Sequence, residues 1–164
     1  MNRPDNAFRI FRRYLHLVAD GMQRLMSTEG SREDGKTGQQ LVALRSPLDF
    51  SATVERVAQS IEAAGLTIFA RIDHAAGARS VGLSMPPTVV LVYGAAKGGT
   101  PIMQEFPNVA LDLPLRVLLR ETADGVTEAV FRPIEAMLRE SGVPDEFAAR
   151  LNGAQALIGK ALEQ

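Results

Sequence analysis

Apolar side chains at positions 8, 11, 15, 18, 22 and 25 recur at spacings of three and four, which draws one stripe down a helix. The spacing predicts an amphipathic helix over residues 6–26, with Phe8, Phe11, Leu15, Val18, Met22 and Leu25 on its seam. Ile10, Tyr14, Leu17 and Met26 widen that face, and Arg3, Arg9, Arg12, Arg13 and Arg24 outnumber Asp5 and Asp20, so the segment is locally basic. Residues 27–40 then carry three glycines and no aliphatic side chain. A stretch of that composition has no face to bury and reads as a solvated linker. The expected organisation is a helix in residues 1–26, a linker in 27–40 and a single domain with C-terminal helices in 41–164.

Within that domain the period alternates between two and 3.6. Leu41 to Arg45 is a short strand candidate, and Ser51 is the expected N-cap of a helix running through Ala64, with Val54, Val57, Ala58 and Ile61 on its apolar face. Gly65 closes that helix. Leu66 to Ile72 reads as a strand, Asp73 as the cap of a short helix to Ser80, and Thr88 to Tyr93 as a buried, central strand. A helical turn is expected from Gly99 to Phe106, with Pro101 near its start. Leu115 to Glu121 and Val126 to Phe131 flank Asp124-Gly125, a pair that tolerates positive φ and so predicts a hairpin. Helices follow, from Arg132-Pro133 to Glu140 and from Pro144 to Leu162. The sum is an α+β domain with a mixed or antiparallel sheet of about five strands packed against helices, preceded by the N-terminal helix.

Composition narrows the function classes. The chain has 18 basic and 19 acidic residues and a formal charge of −1, a balance that argues against bulk nucleic-acid binding. It has no cysteine, which removes disulfides, thiolate metal sites and thiol nucleophiles. No apolar run reaches the roughly 18 residues of a membrane span, and the N-terminus lacks a signal-peptide pattern, so the expected location is cytoplasmic.

Candidate chemistry lies between Phe69 and Arg116. His74, one of two histidines, follows Asp73 at a strand end, and imidazole can serve as acid, base or ligand. The bland alternative is that Asp73 caps a helix and His74 bonds locally. His16 sits among apolar neighbours and reads as structural. The loop Gly94 to Thr100 follows the central strand, and its glycines, together with Lys97 and a helix start, suit an anion or carboxylate. It is not a Walker loop, because the lysine precedes the paired glycines. Asp112 lies in the most apolar setting of any acid in the chain, where a carboxylate needs a partner. The candidate ligand-binding set is therefore Asp73, His74, Lys97, Gly99, Thr100 and Asp112. No serine has a nucleophile context, and no metal or cofactor is implied.

Three strings carry a resemblance: FARIDHAAGA (69–78), PTVVLVYGAAKGGTPIMQ (87–104) and ALDLPLR (110–116). Together they resemble the domain of unknown function 302 family of bacterial and archaeal proteins, over roughly residues 41–140. The resemblance implies a compact α+β sandwich-like domain and a homodimer, with motif positions at Asp73, His74, Lys97, Gly99, Thr100, Pro101, Asp112 and Pro114. That family has no established activity. This chain departs from its pattern at Ala96, where the loop often has proline, and at Phe131-Arg132-Pro133, in place of a polar Asn-Asp-Pro-like stretch.

Three functions are then in competition. The favoured one is a dimeric domain binding a small molecule or anion, with His74, Lys97 and Asp112 converging on one pocket. The second is an enzyme with His74 as general acid or base on an anionic substrate. The third is an interaction module whose N-terminal helix, residues 6–26, engages a partner or, less favoured, an anionic membrane.

Overall fold

The computed structural model describes residues 41–163, so the helix expected at 6–26 and the linker expected at 27–40 lie outside the described residues. Five strands form one sheet: β1 (Val42–Arg45), β2 (Thr67–Asp73), β3 (Thr88–Gly94), β4 (Leu115–Glu121) and β5 (Thr127–Phe131). Their order is β1-β5-β4-β3-β2, and every neighbouring pair is antiparallel. The mixed alternative is thereby removed. β3 is an interior strand as its unbroken apolar run predicts, although β4 occupies the middle of the sheet.

The helices are α1 (Phe50–Ala63), α2 (His74–Ser80), α3 (Ala96–Glu105), α4 (Ile134–Glu140) and α5 (Asp145–Leu162), with a 3-10 helix at Pro107–Leu111. Two local expectations are corrected. The N-cap of α1 is Asp49, not Ser51: its backbone is extended and its Oδ1 accepts from the Ala52 N–H at 2.8 Å. Helix α3 starts three residues before Gly99, so Pro101 falls in its second turn. A proline there cannot donate back to the Lys97 carbonyl. The preceding turn closes instead on the Ala95 carbonyl, which accepts from Gly98 at 3.0 Å and Gly99 at 3.1 Å.

Helix α1 ends where Gly65, at φ +74°, lets the Leu66 N–H reach back to the Ile61 carbonyl. That left-handed residue costs nothing only when it lacks a Cβ.

One face of the sheet is the core. Val89, Leu91 and Tyr93 of β3 and Leu115, Val117 and Leu119 of β4 pack with Val54, Val57 and Ile61 of α1, Leu138 of α4 and Ile158 of α5. The Tyr93 hydroxyl, inside this layer, donates to the Ala154 carbonyl on α5 at 3.0 Å. On the opposite face the register lines up Ile72, Val90, Leu118, Val130 and Ala43, one from each strand. Among the described residues, no helix is long and apolar enough to cross a membrane.

Candidate functional site

Antiparallel pairing decides which motif residues can meet. Asp73 pairs with Val89 and Thr67 with Gly94, so β2 and β3 run past each other for their full lengths. The Asp73-His74 turn leaves the C-terminal end of β2, whereas the glycine loop leaves the C-terminal end of β3, at the other end of the sheet. Five residue steps along β3 separate them, about 17 Å. The expected convergence of His74, Lys97 and Asp112 therefore does not occur within the chain. Asp73 acts as the cap of α2, its Oδ1 accepting from the Ala76 N–H at 2.7 Å, and His74 is exposed as the first residue of that helix.

The other two motifs do meet. Leu115 pairs with Tyr93, which brings the segment before β4 beside the loop after β3. Between them and α5 lies a cavity of about 380 Å³. Gly98, Gly99 and Thr100 of α3 line one side, Leu113 and Pro114 another, and Leu151, Ala154 and Leu157 of α5 the third. Phe69 closes the edge. It is the extra residue where the β2–β3 register shifts between Ile68 and Ala70, and such a bulge re-aims a side chain out of the alternating pattern. The size falls within the range of small-molecule sites, and the walls are mainly apolar.

Polar groups at this cavity are few. Ala95, the N-cap of α3, offers no side-chain cap, which leaves the N–H groups of the first turn without a side-chain acceptor. Arg150 lies on the rim, stacked over the Phe147 ring at 5.0 Å. Lys97 is exposed and does not line the cavity. Glycine matters here through space: a Cβ on Gly98 would meet Leu151 at 3.3 Å, and one on Gly99 would meet Leu113 and Met103 at 3.6 Å.

Asp112 faces elsewhere. With Leu111 it lines a second cleft, of about 350 Å³, while Leu113 and Pro114 line the first, so the Leu111–Pro114 segment is the wall between the two. The Leu113–Pro114 peptide in this wall is cis. The Asp112 carboxylate finds the partner its apolar surroundings require, accepting from the Ser141 hydroxyl at 2.7 Å. Among the described residues, no group of three or more His, Cys, Asp or Glu is placed to hold a metal ion.

Sequence reasoning missed Arg150, Phe69 and Arg116 as cavity residues, whereas the Phe131-Arg132 stretch it singled out as a departure from the family pattern lines the second cleft. Leu151, Ala154 and Leu157 are half-buried and pack against the core on one side while walling the cavity on the other.

Several known proteins are similar to the chain. Proteins named fluoride-specific ion channel FluC 1 from Brucella suis biovar 1 and Brucella abortus biovar 1 are each 40% identical to it over 85 residues, 52% of this chain. Those residues amount to 34% and 32% of the two relatives, so the chain spans about a third of the length of the curated relatives it matches. An uncharacterised conserved protein from Bacillus stearothermophilus shares the fold, with a TM-score of 0.66 at 17% identity over 75% of this chain and 95% of that one. The whole sheet-and-helix body, residues 42–164, matches the model of the family described as domain of unknown function DUF302, and the chain belongs to that family.

Proposed function

We propose that this domain binds a small, largely apolar molecule with a polar or anionic end, in the cavity between the start of α3, the Leu113-Pro114 wall and α5. The observation that carries this reading is the placement of an uncapped helix start at the mouth of an apolar cavity of about 380 Å³. Gly99 and Thr100 serve as wall residues, and Arg150 is the one cation lining the cavity among the described residues. A dimer is part of the proposal, formed through the β2 edge. The enzyme reading needs His74 and Lys97 on one substrate, and the antiparallel register gives it no support within one chain.

Gly153 provides the test. It lines the cavity from α5, and an added Cβ there meets nothing within 4 Å. Gly153→Leu fills the cavity while improving helix propensity by about 0.8 kcal/mol. Native mass spectrometry of protein purified gently from its own cells is expected to show a small molecule on the wild type and none on Gly153→Leu, with melting unimpaired. The same bound mass on both proteins would place the ligand elsewhere.

A second reading has one observation behind it: a long stretch of this chain resembles part of proteins named as fluoride channels. On that reading the domain is a ligand-responsive companion of such a channel. Deleting its gene should lower fluoride tolerance, and unaltered growth across a fluoride series would dismiss the idea.

A further inference from the structure

The second cleft has the chemistry of a site in its own right. Its floor is the face of the sheet opposite the core layer, where Val90, Leu118 and Val130 stand side by side in register on β3, β4 and β5. Around this floor are Asp112, Arg116 and Arg132. Neither arginine forms an ion pair among the described residues. The Arg116 guanidinium donates to the Leu111 carbonyl at 2.9 Å and to the Asp112 carbonyl at 3.5 Å, both through one amino group. This orients it along the wall and leaves its other N–H donors without a partner among the described residues. Arg132 is held through its main chain. Its carbonyl accepts from the Gln155 side-chain amide at 2.5 Å, and Gln155 Oε1 accepts from the Ile134 N–H at 2.8 Å. The turn that presents Arg132 is thus clamped to α5.

Two guanidiniums against one carboxylate, itself already bonded to Ser141, leave the cleft with a net charge of about +1 above an apolar floor. We infer that this cleft binds a monoanionic amphiphile, a carboxylate on an apolar body, with the head between Arg116 and Arg132 and the body on Val90, Leu118 and Val130. Guanidinium suits a carboxylate because its planar donors match the two oxygens. A neutral chain of the same length gains only the apolar contact, and a dianion carries one charge more than the cleft balances. The site is separate from the cavity beside α3 and does not depend on the proposal made for it.

The test uses the full chain and octanoate, with octanol as the neutral isostere. Amide chemical shifts followed by NMR should move at Val90, Leu118 and Val130 with octanoate. The Arg116→Gln/Arg132→Gln double variant should bind octanoate at least about tenfold more weakly, since charge-assisted bonds are lost. Both arginines are exposed, so the variant should melt with the wild type. Should it fail to fold, the wild-type comparison decides alone: equal binding of octanol and octanoate overturns the inference. So does an octanoate footprint on Gly98, Gly99 and Leu151, or unchanged affinity in a folded double variant.

Discussion

Tyr93 shows how much one side chain carries in this fold. Its ring is fully buried in the core face of β3, and its hydroxyl reaches across the layer to α5. Burial pushes the phenol well above its ordinary value of 10.0, because the phenolate would lose its hydration. The native state therefore holds the proton more tightly than the unfolded chain. The stability linked to that proton is complete below about pH 10 and is lost as pH climbs from the unfolded value towards the raised folded one. Tyr93→Phe should cost about 1 kcal/mol near neutrality through the missing bond to Ala154. Its melting temperature should also fall less steeply than that of the wild type above pH 10. Parallel alkaline melting curves for the two proteins would show that other groups govern the loss.

At the scale of elements, local chemistry was readable and pairing direction was not. Asp73 was legible as a cap because it is a carboxylate directly after an alternating strand and just ahead of His74-Ala75-Ala76, a helix-compatible run. The structure gives it that role. Asp124-Gly125 was legible as a turn, and Gly125 has φ +77° between β4 and β5. The start of α1 was misread because Ser51 and Asp49 are both capping residues, and only the backbone shows which one is extended. More consequential was the site. Motifs after two successive strands meet when those strands are parallel and separate when they are antiparallel. The sequence allowed both, so whether His74 stood beside Lys97 could not be read from spacing. Phe69 was hidden for a related reason, since a bulge breaks the period-two rule that assigns each residue a face.

At the scale of the whole molecule, the sheet formed by the described residues has two edges of unequal character. β1 has four residues, whereas β2 has seven and offers its outer backbone groups to another strand. Along β2 and the segment after it lie Phe69, Ile72, Val81, Leu83 and Met85, five of the seven large apolar side chains exposed among the described residues. Exposed apolar surface concentrated beside an unpaired edge is the usual sign of an interface. A second copy suits it: antiparallel pairing of β2 with its own counterpart places a two-fold axis on the strand and buries the same residues from both chains. Ile72, 45% exposed, then lies within that joint, and Ile72→Lys would bury an unpaired charge there. Sedimentation equilibrium should find a dimer for the wild type and a monomer for Ile72→Lys, with melting of the monomer close to that of an isolated domain. A wild type that stays monomeric at every concentration, or a variant as dimeric as its parent, would return β2 to the status of an unpaired edge. Dimerisation through this edge would also place the exposed His74 of each chain at the rim of the joint. That is a position from which it could meet groups that its own fold keeps about 17 Å away.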